Sequence, residues 1–408
     1  MHSPKEVIIS ITNRCNSSCK MCEVPKNKPQ DIPNVQCKQI IEDAFRIGAP
    51  TVVFSGGEPL LRDDIFDLIL FTKKKHMRVC ITSNGSLINE KIAFALAEVG
   101  TDVVNISIEG PQEVNDSLRG PGSFQKAISA LCNLNKNKIE ATIASTVSQY
   151  NFRHLYTIAE IALQHKVTTL KFQPFNALFM NDRTRESDFF ISIQQAHALK
   201  QIMEKIIIFC QKTGIATNPQ AYLQKIPLYL SKQSINGSAC GALWASCPIT
   251  SNGDIYPCWV IKDKKQLIGN IKERQLFDLW DSAHHNRIRE KIKSKGCVGC
   301  MMSCYDESFK QDNLKSRLSF NAVLVKKNGL SVYFVKLCER WLKRLRFYLL
   351  CREPLFALLR RFKGYLGKRN KMSQLKIDKE ISKERINSLL AELDETEKIL
   401  EEKLKTLR

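Results

Sequence analysis

The sequence contains no long uncharged hydrophobic run. In its apolar C-terminal third, apolar stretches such as Leu330–Val335 lie within uncharged segments of eight residues, whereas a membrane-spanning helix needs about twenty apolar residues. The N-terminal residues lead straight into a β-branched segment, Val7–Thr12, without the hydrophobic region of a signal peptide. We therefore expect a protein that is made and kept in the cytoplasm.

Acidic residues are also in short supply. The chain has 41 Asp and Glu against 62 Lys and Arg, a formal net charge of +21. Residues 326–371 alone contain 14 basic residues and two glutamates, so the excess is local and predicts a docking segment. No aromatic-interleaved recognition motif accompanies this charge, and we do not expect a nucleic-acid partner. Hydrophobic and charged fractions of 43% and 25% are those of an ordinary globular protein and exclude wholesale disorder.

Cysteine, by contrast, is abundant, with 15 residues. In a reducing cytosol this number argues against a disulfide scaffold and favours metal or redox ligands. Three of them form a Cys-x3-Cys-x2-Cys loop, Cys15, Cys19 and Cys22, directly after the first predicted strand. Three thiolates in one loop can hold a cubane iron–sulfur cluster and leave one iron open for a small molecule. A zinc loop is the alternative, and Cys37 is the next cysteine in sequence that could complete it.

From residue 7 to about residue 213, short β-branched segments alternate with amphipathic helical segments. Parallel strands are joined by crossover helices because a hairpin cannot connect them. The pattern therefore predicts an α/β fold in which six βα units form a partial (β/α)6 barrel, with functional residues at the carboxyl ends of the strands. The predicted strands cover residues 7–12, 51–54, 77–82, 103–108, 139–147 and 168–173. The predicted helices lie near residues 34–48, 63–75, 88–99, 123–136, 151–165 and 191–213.

A glycine motif, Gly56-Gly57-Glu58-Pro59, follows the second predicted strand. Two glycines at a strand end allow the backbone to approach a ligand closely, and Glu-Pro restricts the following turn. A tight βα turn with no ligand would have the same composition. Next to the cysteine loop, at the carboxyl end of the neighbouring strand, the motif indicates a ligand cradle.

Together these features resemble the radical S-adenosylmethionine (SAM) superfamily over residues 5–215. The resemblance implies a [4Fe–4S] cluster bound by Cys15, Cys19 and Cys22, whose open iron binds the amino and carboxylate groups of SAM. It further implies that one electron, from a reductant such as flavodoxin or ferredoxin, cleaves SAM to methionine and a 5′-deoxyadenosyl radical. That radical would abstract a hydrogen atom from the substrate, while the protein positions the reactants and excludes water.

The same resemblance implies SAM contacts at other strand ends. Arg119 is expected to bind the SAM carboxylate through a bidentate fork, and many relatives have Asp where this chain has Glu109. An ordinary loop cap is the alternative for each of the polar residues. The full set of expected cofactor-binding residues is Gly56, Gly57, Glu58, Pro59, Ser83, Asn84, Ser107, Glu109 and Arg119.

A second group of cysteines lies in residues 240–305, a loop-rich segment whose core is too small to fold by hydrophobic burial alone. Asn252-Gly253-Asp254 is typical of the turn of a β-hairpin, and such a hairpin would bring Cys258 back toward Cys240. The spacing of Cys240, Gly253 and Cys258, together with Gly269-Asn270, resembles the SPASM and twitch extensions of radical SAM enzymes. The resemblance implies a small cysteine-rich α+β domain that binds an auxiliary cluster.

A full SPASM domain with two auxiliary clusters needs more cysteines than the six present here, which favours one auxiliary [4Fe–4S] cluster. Such a cluster could accept an electron from a substrate radical, bind substrate or only stabilise the fold. A structural zinc site fits the cysteine pairing as well. The expected ligands are Cys240, Cys258, Cys297 and Cys300, with Cys247 and Cys304 as substitutes or as ligands of a second cluster.

Residues 216–239 are predicted to be a linker, and residues 306–371 a basic amphipathic helical region broken at Pro354. The basic and aromatic faces of that region are typical of a helix lying in a membrane interface, which would place the protein peripherally on the inner face of the membrane. Docking onto the barrel or onto a partner protein is the alternative. Apolar residues in 373–408 follow coiled-coil-like four-and-three spacing, which predicts self-association or an antiparallel return onto the basic helices. The fold thus ends in a helical C-terminal tail.

These features predict a radical SAM enzyme that activates a C–H bond of a peptide, protein or small-molecule substrate, in peptide modification or cofactor biosynthesis. One alternative is membrane-associated modification of an envelope glycan or a lipid-linked substrate. Another is a non-catalytic iron–sulfur electron carrier or scaffold. The intact Gly56-Gly57-Glu58 motif argues against a carrier, because a carrier needs no SAM cradle.

Overall fold

The computed structural model describes residues 3–180, 184–235, 241, 244–261, 264–295 and 300–302. These residues belong to one compact unit, Met1–Asn313. The predicted tail regions, 306–371 and 373–408, lie outside the described residues, as do Cys240, Cys297 and Cys304.

Six parallel strands form one sheet in chain order, and each pairs with the next, from Val7 opposite Val52 to Ala144 opposite Lys171. Every one of these strands starts and ends within two residues of its predicted position. The predicted α/β fold with six βα units is confirmed. The six strands are β1 Glu6–Thr12, β2 Thr51–Gly56, β3 Arg78–Ser83, β4 Val103–Ser107, β5 Glu140–Val147 and β6 Thr169–Pro174; three shorter ones follow, β7 Ser246–Ile249, β8 Asp254–Ile255 and β9 Gly269–Asn270.

Helices cover the outer face of this sheet. Alternate strand residues, such as Val79 and Ile81 of β3, are buried in one core with helix residues such as Leu68, as expected for parallel strands enclosed by crossover helices. The described helices are α1 Asn34–Arg46, α2 Ile65–Lys74, α3 Glu90–Glu98, α4 Gln112–Arg119, α5 Ser123–Lys136, α6 Leu155–Gln164, α7 Ile193–Thr213, α8 Gln220–Leu230, α9 Leu276–Leu279 and α10 Ala283–Lys295. Of those within the barrel, α4 was not among the helices that the sequence predicts.

After the sixth strand the chain stays helical for longer than predicted. α7 begins at a capping box between Ser192 and Gln195 and ends where Gly214 adopts a left-handed conformation. α8 occupies part of residues 216–239, for which the sequence predicts a linker, and it contains Pro227. The apolar side chains of α8 are buried against β6 and α7, and this burial outweighs the cost of an internal proline.

The cysteine-rich segment extends the sheet of the barrel. β7 pairs in parallel with β1, with Cys247 opposite Val7, and β8 and β9 continue antiparallel. In the β7–β8 turn the Gly253 N–H donates to the Thr250 carbonyl at 2.9 Å, and Gly253 has a φ of +92°. The predicted hairpin is therefore present, but as part of the main sheet and not of a separate layer. β7 covers the edge of β1, which would otherwise expose unpaired backbone groups.

Candidate functional site

The three-cysteine loop leaves the carboxyl end of β1 and is held at two places. The Asn13 N–H donates to the Gln30 carbonyl at 3.0 Å, and the Gln30 N–H donates back to the Asn13 side chain at 2.5 Å. Further along, the Lys20 N–H donates to the carbonyl of Leu118 in α4 at 2.9 Å. The structure thus brings the three predicted ligands together in one loop as half-buried thiols, Cys15, Cys19 and Cys22.

The glycine motif lies directly beneath this loop. The Gly57 N–H donates to the Thr12 carbonyl and the Glu58 N–H donates to the Arg14 carbonyl, both at 2.8 Å. A Cβ atom on Gly56 would lie 2.0 Å from the Thr12 oxygen, and one on Gly57 would lie 2.0 Å from the Arg14 oxygen. The sequence predicts that these glycines admit a ligand. In the structure the group that approaches them closely is the backbone of the cysteine loop itself.

Glu58 joins the carboxyl ends of β2 and β3. Its fully buried carboxylate accepts from the Ser83 hydroxyl at 2.9 Å, the Asn84 N–H at 2.8 Å and the Leu60 N–H at 3.2 Å. Burial raises the pKa of the Glu58 carboxyl, and these hydrogen bonds oppose the shift. Pro59 follows in a buried position and begins a short helical turn. Glu58, Pro59 and Ser83 therefore set the spacing of two strand ends.

Asn84 connects β3 to the cysteine loop. The side-chain nitrogen of Asn84 donates to the Asn16 side chain at 2.8 Å and to the Ser17 hydroxyl at 3.2 Å. The side-chain oxygen of Asn84 accepts from the Ser86 N–H at 2.8 Å. Both loop residues lie between the first two cysteines of the motif. The conformation of that part of the loop therefore depends on the end of β3 as well as on the glycine motif.

Glu109 and Arg119 form a second buried link beside the loop. One Glu109 oxygen accepts from the Arg119 Nε at 2.9 Å and Nη2 at 2.5 Å, and the other accepts from the Thr146 N–H at 2.7 Å. The Arg119 Nη1 lies 3.7 Å from the Cys19 sulfur. Burial alone would lower the pKa of the Arg119 guanidinium, but Glu109 and the Cys19 sulfur raise it above its ordinary value. Arg119 is thus held by an internal carboxylate and borders the thiol of Cys19.

Two buried asparagines that sequence reasoning missed hold Glu109 in place. The Asn115 side chain accepts from the Glu109 N–H and the Asn151 side chain donates to the Glu109 carbonyl, both at 2.9 Å. Both asparagines are fully buried. In the sequence, the feature that could have revealed these two asparagines is their polarity, in segments that otherwise bury apolar residues. Ser107, the remaining predicted contact, is the half-buried last residue of β4.

The arrangement of ligands bears on the zinc alternative. Among the residues that the structure describes, no three Cys, His, Asp or Glu side chains lie close enough to hold a single metal ion. A cubane does not require this, because each thiolate binds a different iron. Cys37, the candidate for a fourth zinc ligand, is fully buried in α1, where its thiol lies 3.6 Å from the Ile32 carbonyl. Cys37 is therefore part of the helix-side core and not of the cysteine loop.

The described cysteines of the second group have two different environments. Cys258 is buried in an apolar cluster with Val260, and the partly buried Cys300 and Trp259 pack against the same cluster. Cys247 is fully buried in the core that lies between the sheet and the helices, and this burial raises the pKa of its thiol. The structure thus brings Cys258 and Cys300 together and leaves Cys247 apart from them.

The segment with Cys258 also reaches the inner face of the sheet, the face opposite the helices. Trp259 packs against an apolar cluster that contains one inner-face residue from each of β1 to β4, namely Ile8, Val53, Cys80 and Val103. On the other side, the Tyr222 hydroxyl donates to the Met301 carbonyl at 2.5 Å, and the Gln173 side chain donates to the same carbonyl. Through the pairing of β7 with β1 and the hydrogen bond from Gln173 of β6, the second cysteine segment is in contact with both ends of the six-stranded arc.

Two family models match the chain. Residues 9–160 match the radical SAM superfamily, and residues 240–305 match SPASM, an iron–sulfur cluster-binding domain. An AdoMet-dependent heme synthase from Oleidesulfovibrio alaskensis is 30% identical over 299 residues, which cover 68% of this chain and 74% of that protein. The chain belongs to the radical SAM superfamily.

Other relatives of this radical SAM protein have different names. A Fe-coproporphyrin III synthase from Methanosarcina barkeri is 32% identical over 170 residues, covering 41% of this chain and 43% of that protein. The mycofactocin maturase MftC from Mycobacterium ulcerans is 28% identical over 296 residues, covering 71% and 78%. The solved structure of SuiB from Streptococcus suis bound to S-adenosylmethionine has a TM-score of 0.58 at 18% identity, over 74% of this chain and 72% of that one. That likeness confirms the fold.

As a radical SAM enzyme with a SPASM domain, the protein uses SAM and [4Fe–4S] clusters. The residues present fit these groups, because the Cys15 loop offers three half-buried thiols at a strand end and Arg119 beside one of them. Within the described part of the chain, no helix is long and apolar enough to cross a membrane.

Proposed function

We propose that this enzyme reductively cleaves SAM at a [4Fe–4S] cluster on Cys15, Cys19 and Cys22 and activates a C–H bond of a peptide or a cofactor precursor. The observation that carries the proposal is the double link between the glycine motif and the cysteine loop, from Gly57 and Glu58 to the carbonyls of Thr12 and Arg14. When bound, the reduced cluster and SAM supply a 5′-deoxyadenosyl radical. The residues of the chain hold the loop, orient SAM and exclude water.

The expected SAM-binding side chains fall into two groups according to the hydrogen bonds that they make. Glu58 and Ser83 bind each other inside the protein, so their role is to position the strand ends. Arg119 keeps one edge of its guanidinium beside Cys19, where it would bind the carboxylate of SAM through paired hydrogen bonds. Ser107 shares the inner face of β4 with Asn105 because residues two apart in a strand point the same way. We assign Arg119 and Ser107 to direct SAM contact.

For the auxiliary [4Fe–4S] cluster we keep Cys240, Cys258, Cys297 and Cys300 as ligands. The shared apolar cluster of Cys258 and Cys300 supports this choice. The burial of Cys247 among aliphatic side chains on the helix side of the sheet argues against its use as a ligand. Cys304 lies outside the described residues and stays a possible substitute in the proposal.

The relatives that cover most of the chain support this substrate class. One is named as a heme synthase, a name that refers to cofactor biosynthesis. Another is named as a mycofactocin maturase, a name that refers to maturation of its product. The electron for SAM cleavage would come from a low-potential carrier such as flavodoxin or ferredoxin. We do not assign the enzyme to glycan or lipid-linked substrates, since no relative described above is named for such an activity.

The basic region 326–371 supports a further proposal about location. Its 14 basic residues against two glutamates would attract an anionic membrane surface through electrostatics without any spanning segment. We propose peripheral association through this region, with self-association through residues 373–408.

Anaerobic turnover tests the central proposal. Reconstituted protein with dithionite and SAM should form 5′-deoxyadenosine, detected by chromatography, and a Cys15/Cys19/Cys22→Ala triple variant should form none. The matched control is Cys132→Ala, which removes an exposed cysteine on the outer surface of α5 and should behave like the parent. A parent with a full iron load that neither binds SAM, by spectroscopy of the cluster, nor cleaves it would contradict the proposal and favour an electron carrier.

A further inference from the structure

One lysine of the sheet lies on the inner face of the barrel, the face opposite the helices. Lys171 in β6 is flanked by Leu170 and Phe172, which are both fully buried in the helix-side core. Because side chains alternate along a strand, Lys171 must point to the inner face, and there it is exposed. It is the one basic residue in β4, β5 and β6. The proposed function has so far given it no role.

The positive charge of Lys171 is not balanced by an ion pair. In the described part of the chain no salt bridge involves Lys171, whereas the carboxylates of Glu140, at the start of β5, and Glu109, beyond the end of β4, are bound to arginines. Burial raises the pKa of the Glu6 carboxyl in β1 and of the Cys80 thiol in β3, and the charge of Lys171 opposes both shifts. The ammonium group therefore extends over the inner face toward these strands.

The row of the sheet that contains Lys171 is open to solvent. Lys171 pairs with Ala144 of β5, and Ala144 pairs with Ser107 of β4. Ala144 and Ser107 are only half-buried although they lie in interior strands of the sheet, so the small side chain of Ala144 leaves a recess between the two polar residues. The apolar cluster that Trp259 covers consists of other residues, from β1 to β4. A ligand can therefore reach the inner face at this row.

The recess lies beside the expected position of SAM. Ser107, at one end of the row, is a residue that we assign to direct SAM contact. Neighbouring strands are about 4.8 Å apart, so the Cα atoms of Ser107 and Lys171, which are two strands apart, are separated by about 10 Å. The long side chain of Lys171 covers part of this distance. A small group bound to Lys171 over Ala144 would therefore be next to SAM.

A second observation points to a ligand at the same place. Asn105 lies two residues before Ser107, on the same face of β4, and is only 8% exposed. Its side-chain nitrogen donates to the Cys80 sulfur at 3.2 Å and to the Thr82 hydroxyl at 3.3 Å, both in β3. Its side-chain oxygen is buried and has no hydrogen-bond partner among the described residues. A buried acceptor without a partner is costly, and a substrate N–H or O–H in the recess over Ala144 would satisfy it.

We propose that Lys171 and the recess over Ala144 form a subsite for a carboxylate group of the substrate, next to SAM. This inference rests on the proposed function and narrows its substrate class to a peptide or cofactor precursor that carries a carboxylate, together with an N–H or O–H group for Asn105. A single ammonium group balances the single charge of a carboxylate. A phosphate dianion would need further donors, such as a second basic residue or the N-terminus of a helix, and this row has neither.

Deuterium transfer tests the subsite with a simple probe. Perdeuterated hexanoate carries deuterium along its whole chain, so any of its carbons that lies beside SAM can lose a deuterium atom to the 5′-deoxyadenosyl radical. The C–D bond of the probe breaks, a C–D bond forms in 5′-deoxyadenosine, and dithionite quenches the carbon radical of the probe. Holoenzyme with SAM, dithionite and hexanoate should give a deuterated fraction of 5′-deoxyadenosine, measured by mass spectrometry, at least fivefold higher than with perdeuterated hexanamide, the neutral probe of the same length.

Four variants locate the effect. Lys171→Gln should remove the difference between the two probes, because glutamine is polar but uncharged. Lys171→Arg keeps the positive charge and should retain at least half of the difference. Ala144→Leu fills the recess and should lower the deuterated fraction at least fivefold with both probes. Lys91→Gln is the matched control: it removes an exposed lysine from α3, on the helix side of the sheet, and should match the parent.

The outcomes separate this inference from the proposed function. A parent that forms 5′-deoxyadenosine with no higher deuterated fraction from hexanoate than from hexanamide overturns the inference and leaves the proposed function standing. A Lys171→Gln variant that keeps the preference for hexanoate does the same, as does an Ala144→Leu variant with parental fractions. A higher fraction with perdeuterated hexyl phosphate than with hexanoate overturns the assignment to a carboxylate. A parent that forms no 5′-deoxyadenosine overturns both the inference and the proposed function.

Discussion

The two cysteine groups of this radical SAM enzyme are built in opposite ways. Cys15, Cys19 and Cys22 lie within eight residues of one loop, whose backbone is bound to Gly57 and Glu58. Cys258 and Cys300 are 42 residues apart, and their side chains meet in one apolar cluster. The first group depends on backbone hydrogen bonds and short spacing, and the second depends on packing between distant segments.

The surroundings of the two groups differ in the same sense. The first loop is bordered by polar groups, among them Arg119 and Asn84, and its thiols are half-buried. The second group has Val260 and Trp259 as neighbours. The loop with Cys15, Cys19 and Cys22 therefore has polar neighbours, whereas Cys258 lies in a cluster of mainly apolar side chains. Changes to the backbone should damage the first site and changes to packing should damage the second.

The largest effect is expected from Gly57→Ala. A Cβ atom at this position would lie 2.0 Å from the Arg14 oxygen, so the cysteine loop must move. A displacement of about 1 Å at a reacting centre can lower the rate about 100-fold. We expect a loss of that size in SAM cleavage, with the auxiliary cluster retained in the absorption spectrum. Gly122→Ala is the control: the left-handed backbone of Gly122 (φ +70°) makes that substitution strained, but a Cβ there meets nothing within 4 Å and leaves the cysteine loop in place. Equal losses of SAM cleavage in both variants would contradict the role of the loop contact.

Cysteine variants in the second group should separate a ligand from a core residue. The parent should contain about eight irons per chain if two cubanes form, and Cys258→Ala about four. Cys247→Ala should keep the parental iron content, since its side chain is buried on the other side of the sheet, and should lose about 1 kcal/mol of unfolding free energy. Cys304→Ala should also keep both clusters. Iron analysis with chemical denaturation measures these outcomes, and loss of iron in Cys247→Ala would refute the assignment.

Glu58→Gln tests the strand-end link without changing its shape. The amide replaces one acceptor oxygen with a donor that faces the Ser83 hydroxyl or the Asn84 N–H, and an unsatisfied buried group costs about 1–3 kcal/mol of unfolding free energy. Denaturation curves measure this difference. An unchanged midpoint and slope would show that the link contributes nothing to stability.

The same variant has a defined pH dependence. Burial raises the pKa of Glu58 above its ordinary 4.5, so the folded protein binds the proton more tightly than the unfolded chain does. The stability that Glu58 contributes is therefore fully present below pH 4.5, the ordinary pKa. It falls as the pH rises through the raised pKa of Glu58 in the folded protein. The difference in unfolding free energy between parent and Glu58→Gln should be larger near pH 5 than near pH 8. A larger difference at the higher pH would contradict the direction of the shift.

The smallest effect on SAM cleavage is expected when residues 326–408 are removed. Both cysteine groups lie before this segment in the sequence, so 5′-deoxyadenosine formation should be retained. Binding to liposomes that contain anionic lipid should be lost, because the deletion removes the local excess of basic residues. Sedimentation with liposomes of neutral lipid is the control. Undiminished binding to anionic liposomes would exclude the tail as the membrane-docking segment.

Prediction from sequence succeeded where the determining interactions are local. The strands were placed within two residues because β-branched runs and helical periodicity depend on neighbouring residues. α8 was missed because Pro219 and Pro227 disrupt the local pattern, while burial against β6 and α7 decides the conformation. The parallel pairing of β7 with β1 was also missed, since a short strand carries no local information about its partner.

By itself the sequence determined the spacing of Cys15, Cys19 and Cys22, the glycine motif and the six βα units, because each is a matter of residue type and distance along the chain. Only the tertiary structure decided that Arg119 pairs with Glu109, that Cys247 and Cys258 have separate surroundings, and that Cys80 faces the interior. Those outcomes depend on which face of a strand a residue occupies and on which distant segment packs against it. Strand pairing and burial establish both when the whole sheet assembles.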